Sequence, residues 1–176
     1  TSGTTSPDDA LTLYLEAVAA IGREGLDCRL SVKTPALADD AERLYRIVDA
    51  ARAHGTTLHI DAHGPETASS ALRLAMEARA SYANVGCTLP SRWTRSLDDA
   101  AHVKTLGVSV RLVKGQWSDP GGASDHRERF IAIARALGGS QGTVLVATHD
   151  APLARRALRT LLEGGTPAEM ELLFSL

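Results

Sequence analysis

Short apolar runs alternate with amphipathic helical stretches along the whole chain, and no other feature restricts the fold as strongly. Strand-like runs are predicted at 28–32, 57–62, 83–88, 108–113, 143–148 and 170–174, and helices at 7–23, 38–53, 65–80, 98–105, 126–137 and 152–162. The helix signals are specific. Ser6 can cap and Pro7 suits the first turn, after which Leu11, Leu15, Val18 and Ile21 form a stripe. Leu44, Ile47 and Val48 share a side of the second helix, with Gly55 as its stop, and Gly107 ends the fourth. Units of roughly 20–30 residues in this order require crossovers of one hand and a parallel sheet.

A doubly wound sheet and a barrel both satisfy that order. The first would carry a glycine fingerprint after its first strand, and "SVKTPAL" has none. A barrel gathers polar residues at the carboxyl ends of many strands. Here Lys33 ends the first strand, Asp61 and His63 the second, Lys114 the fourth, and His149 with Asp150 the fifth. The expectation is an α/β fold of the parallel (β/α)8 TIM-barrel type with six of its eight strands, forming one partial domain over 1–176. With 176 residues the chain can bury about 70% of its surface. Six strands leave two open edges. Three solutions stay open: strands outside a chain that begins at Thr1, strands or cover from a partner or second copy, or an open sheet.

Nineteen Lys and Arg against 21 Asp and Glu give a formal charge of -2, which offers nucleic acid no basic footprint. No apolar run reaches the ~20 residues of a membrane span. Cys28 and Cys87 have no metal spacing and read as buried free thiols of strands, which suits a reducing cytoplasm.

The strand ends carry the chemistry. Arg111 shares a face of its strand with Ser109 and Val113, where it either contacts a bound ligand or joins an internal ion pair with a residue such as Asp61. Lys114-Gly115 puts an ammonium beside a backbone without a side chain, either as a seat for a flat ligand or as an exposed loop. Lys33 precedes Pro35, which keeps its loop extended, and suits a Schiff base or an anion. His59, Asp61 and His63 recur at period two, the pattern of a metal-dependent hydrolase, against which His59 reads as packed interior and His63 as loop. Asp150 reads as the cap of the helix after it, while His149 can face a ligand. Trp93 and Trp117 fall in loops, either able to stack on a ring.

The ordered segments "LSVKTPAL", "LHIDAHG", "VRLVKGQW", "VATHDA" and "EMELLFSL" resemble the proline dehydrogenase family, FAD-dependent (β/α)8 barrels, and "TTSPDDA" is similar to that family's segment after its first strand. The resemblance implies hydride transfer from proline or a related secondary amine to FAD, with a small amine or imino acid as substrate. It implies catalytic roles for Lys33, Asp61 and Arg111, and contacts to FAD from Arg111, Val113, Lys114, Gly115, Trp117, Thr148 and His149. No metal is implied. Gly86 stands where the family has glutamine, Gln116 where a small residue is usual, and Glu171 where another glutamine is expected. The family's first strand, and its last with the arginines that clamp the substrate carboxylate, are expected outside these residues. A catalytically degenerate barrel that binds a ligand or serves assembly is the competing expectation.

Overall fold

The computed structural model describes residues 5–117, 119 and 125–172. Six strands lie in one sheet whose order follows the chain. These are β1 (Arg29–Lys33), β2 (Thr57–Asp61), β3 (Val85–Pro90), β4 (Ser109–Val113), β5 (Val144–Ala147) and β6 (Ala168–Glu171). Between them run α1 (Pro7–Glu24), α2 (Ala41–His54), α3 (Ala68–Ser81), α4 (Ser96–Thr105), α5 (His126–Ala136) and α6 (Ala151–Glu163), α1 preceding β1. The predicted alternation is therefore present element for element. No helix among the described residues is long and apolar enough to cross a membrane.

Two compact units divide the chain, Thr1–Cys87 and Thr88–Leu176. In the first, β1 pairs with β2 and β2 with β3, all parallel. Ser6 caps α1 by accepting from the Asp9 amide, Pro7 opens the helix, and Gly25 closes it in the left-handed region. Leu11 and Val18 of the predicted stripe are buried, while Leu15 and Ile21 are half-buried. Leu44, Ile47, Val48 and Ala51 form the buried face of α2 at helical spacing, and Val32, Leu58 and Ile60 supply the strand side of that core.

In the second unit β4 pairs with β5 and β5 with β6, again parallel. Val110, Leu112, Val144 and Val146 are buried on the sheet, and Phe130, Ile131, Ile133 and Ala134 on α5. Asp150 is the cap the sequence predicted: its carboxylate accepts from the Leu153 amide at 3.1 Å and also pairs with Arg127. Asp150→Ala is expected to cost about 1 kcal/mol in urea unfolding, chiefly through the lost cap. Asp150→Asn keeps a capping oxygen, loses only a half-exposed ion pair, and should cost less than half of that. Equal losses in the two variants would show that the ion pair, not the cap, carries the stability.

Two expectations shift. β6 is Ala168–Glu171, starting two residues earlier than read, because the Val144 amide bonds to the Pro167 carbonyl and sets the register there; Leu172 lies past the strand end, and 173–174 of the predicted run lie outside the described residues, as does Thr4 of "TTSPDDA". Cys28 is exposed and precedes β1, so it is not a buried strand thiol; Cys87 is buried as expected, and both are free. Cys28 is drawn out of the strand by a local turn in which its amide bonds to the Leu26 carbonyl.

Candidate functional site at the strand ends

In the first unit, Lys33 and Asp61 are register partners at the carboxyl ends of β1 and β2, and Ser31 and His59 are partners two residues earlier. All four share one face of the sheet. Lys33 is exposed, and its backbone N–H donates to the Tyr14 hydroxyl at 3.0 Å, which ties the end of β1 to α1. The segment after it, Thr34–Leu37, is a short 3-10 turn rather than an extended loop, so Pro35 sits at a helical start. Ala38 and Asp39 then adopt left-handed backbone, φ 57° and 51°, conformations that cost non-glycine residues energy.

His59 is fully buried, with Ser31 as its register partner on one side and Gly86 on the other. The packed-interior alternative for His59 is thus the one the structure shows. His63 lies beyond β2 and is exposed. Among the described residues no three His, Cys, Asp or Glu side chains gather as metal ligands, so the period-two triad does not assemble into a metal site.

The second unit holds the other half of the expected residues. On β4, Val110 and Leu112 are buried while Ser109, Arg111 and Val113 are half-buried, so one face is closed and the other half-open. Arg111 lies on the half-open face, as expected. Its Nη2 stands 2.9 Å from Glu171 Oε1, and its Nε donates to Oε2 at 3.2 Å. The ion-pair alternative is therefore realised, with Glu171 on β6 as a partner that sequence spacing did not reveal. β5 lies between them, where Ala147 is in register with both Val113 and Glu171. The methyl side chain of Ala147 leaves the guanidinium a path across the strand.

The loops after β3 and β4 are laced together. The Ser91 amide donates to the Val113 carbonyl and the Arg92 amide to the Lys114 carbonyl. The Trp93 indole N–H donates to the Trp117 carbonyl at 2.9 Å. Asp119 accepts from both the amide and hydroxyl of Thr94, and the hydroxyl bond leads in holding its carboxyl below the usual range. Trp93 is consequently buried structure and not a stacking platform, whereas the Trp117 ring is 48% exposed. Lys114 and His149 are exposed, and the Thr148 hydroxyl accepts from the Asp150 amide. Burial first, then Lys114 and Arg92, push the His126 pKa down, which marks a cationic neighbourhood at this end of the unit.

Gly115 carries a packing constraint in addition to the expected readings. Its φ is 88°, and a Cβ there would stand 2.7 Å from Pro90 Cβ. The glycine is required by the loop's backbone and by Pro90, and the space a side chain would take is already filled. Gly115→Ala is expected to cost roughly 1–3 kcal/mol from the left-handed backbone and the overpacking together. A drop in the urea midpoint without any added ligand checks this; an unchanged midpoint would mean the loop gives way freely.

No family model matches the sequence, and no curated protein matches it. Solved structures do. Proline utilization A from Bdellovibrio bacteriovorus, inactivated by N-propargylglycine, matches with a TM-score of 0.83 and 16% identity, over 99% of this chain and 25% of its own. A mutant of the Bradyrhizobium japonicum protein gives 0.80 and 19%, over 96% of this chain and 22% of its own. A bifunctional proline utilization A gives 0.80 and 19%, over 95% and 22%. The fold is proline dehydrogenase-like. It is thereby of the TIM-barrel class expected from the alternation. The chain spans about a quarter of the length of these structures. Within a proline dehydrogenase-like fold, the carboxyl ends of the strands are where loops build active sites. Lys33 and Asp61 end β1 and β2 and Lys114 follows β4, while Arg111 is the middle residue of β4.

Proposed function

We propose that this chain is an FAD-dependent oxidoreductase domain that oxidises proline or a related secondary amine. One observation carries the proposal: a guanidinium, Arg111, sits only 15% exposed on the half-open face of a strand in a proline dehydrogenase-like fold. Glu171 meets part of that charge and fixes its orientation, and the face of β4 that carries it stays half-open to a further anionic group. The residues of the second unit fit a flavin. Val113 and Ala147 give apolar surface on one side of the sheet, Arg111 gives a cation there, and Lys114, Trp117 and His149 are exposed just beyond the strands. Val113, Lys114, Gly115, Trp117, Thr148 and His149, together with Arg111, are the residues assigned to hold FAD.

Bound FAD supplies a two-electron acceptor for the hydride on the carbon next to the amine nitrogen. The chain's own contribution is electrostatic. Arg111 is already oriented before any charge moves, so it stabilises negative charge developing on the ring without reorganising. Lys33, an ammonium at the end of β1, is assigned to the substrate's acid group, and Asp61, its register partner, to orienting that ammonium. A small imino acid as substrate and a cytoplasmic setting belong to the same proposal.

Titrating the purified chain with FAD and recording the visible spectrum tests it. The expected result is a retained flavin band that bleaches on adding proline or a related imino acid. Failure to take up flavin overturns the proposal. A second reading, a catalytically degenerate barrel domain, draws on Glu171, whose carboxylate already offsets the charge of Arg111. It predicts a colourless protein that takes up no added flavin.

A further inference from the structure

We propose that Glu171 is a positioning residue that sets the charge Arg111 presents at the flavin site, and that it thereby lowers the reduction potential of the flavin bound there. The inference rests on the FAD reading above and adds to it a role for a residue to which the site residues assign none.

Two bonds join the side chains, Nη2 to Oε1 at 2.9 Å and Nε to Oε2 at 3.2 Å. This fork-to-fork arrangement fixes the plane of the guanidinium as well as its position. The arginine side chain is 15% exposed and the glutamate 34%, so water screens the pair less than it would a surface pair. A carboxylate at 171 brings one unit of negative charge against the guanidinium. An amide of the same shape would keep one acceptor and bring none. Reaching Arg111 from β6 means crossing β5, a span of about 10 Å between alternate strands. Glu171 does this over Ala147, its register partner, so a small residue and a long acid occupy the two positions that the contact needs.

A ring that gains negative charge on reduction is helped by a cation and opposed by a nearby carboxylate. Glu171 therefore acts in two directions. It orients the guanidinium, and it subtracts from the charge that the guanidinium delivers. The subtraction is what a potential measures, and a merely structural role would leave the potential unmoved.

The test compares wild type, Glu171→Gln and Glu163→Gln, each loaded with FAD, by equilibration with a two-electron reference dye. Glu163 is the exposed last residue of α6 and serves as the carboxylate-loss control. Glu171→Gln is expected to shift the equilibrium toward reduced flavin about tenfold, which is about 30 mV for a two-electron couple, while Glu163→Gln stays with wild type. Flavin bound in all three with the same potential overturns the inference and leaves the FAD reading standing. No uptake of flavin by wild type overturns both. Should Glu171→Gln fail to fold by circular dichroism, Glu171→Asp takes its place: withdrawing the carboxylate by one methylene is expected to move the potential the same way by a smaller amount, and no movement, or movement downward, overturns the inference.

Discussion

Arg111→Met is expected to slow amine-dependent bleaching of the FAD-loaded protein by about 100-fold or more, the range found when one preorganised electrostatic stabiliser is removed. Methionine replaces the apolar stem of arginine without the guanidinium, so β4 retains its packing while the site loses its cation. The lost charge is the one already oriented by Glu171 on the half-open face of β4. Glu171, left without this partner, is about a third exposed and can recover part of its hydration, so the accompanying loss of stability is small beside the loss of rate. Arg111→Lys separates charge from geometry. Lysine restores a cation but not the planar fork, and its rate is expected to fall between methionine and wild type. Stopped-flow bleaching at saturating amine checks the series. Equal rates in wild type and Arg111→Met would remove Arg111 from the chemistry, and with it the observation on which the proposed activity stands.

Features that depend on neighbours in sequence were legible before any coordinates. Ser6, Asp150 and Gly55 each do what their position in the chain predicts, because a cap or a left-handed stop is decided within about four residues. The alternation of elements is local in the same sense, and it fixed the parallel class. Features that depend on pairing across the sheet were not. Glu171 lies 60 residues from Arg111 in the chain, and only the registers of β4, β5 and β6 bring them together over Ala147. Gly115 is legible in the sequence only as backbone without a side chain, a ligand seat or an exposed loop. The structure adds the constraint of Pro90, 25 positions back by numbering at the end of β3, whose following loop hydrogen bonds to that of Gly115. Buried His59 shows the same dependence: only the register places it beside Gly86, the glycine that stands where the resembled family has glutamine.

Those cross-strand features also explain why the site divides as it does between what the sequence could and could not supply. The identity of the strand-end residues follows from period two along each strand. Their electrostatic state follows from which neighbour each one meets, and that information sits in the register. In the sequence Arg111 stays open between a ligand contact and an ion pair; paired with Glu171 it is a cation of fixed orientation and reduced reach. The difference decides whether the site is strongly or weakly anion-seeking.

Phe130→Ala is expected to give the largest loss of stability of any single change considered, about 3–5 kcal/mol. Phe130 is fully buried on α5, flanked by the buried Ile131, Ile133 and Ala134. Aromatic residues are only 4% of the chain, so the core of the second unit is built mainly from aliphatic side chains. Its buried neighbours on α5 are the aliphatic Ile131, Ile133 and Ala134, and sites that collapse poorly fall at the upper end of the cost. Both tryptophans, Trp93 and Trp117, belong to this second unit, so intrinsic fluorescence reads its unfolding directly. For a chain of this length the change corresponds to a fall of roughly 10 °C in Tm. Leu162→Ala is the comparison: Leu162 lies on α6 and is 60% exposed, so its truncation should fall within about 0.5 kcal/mol of wild type. If Phe130→Ala unfolds at the same urea concentration as Leu162→Ala, α5 does not pack on this sheet as described, and the buried β4 face of Val110 and Leu112, opposite Arg111, loses the layer that covers it.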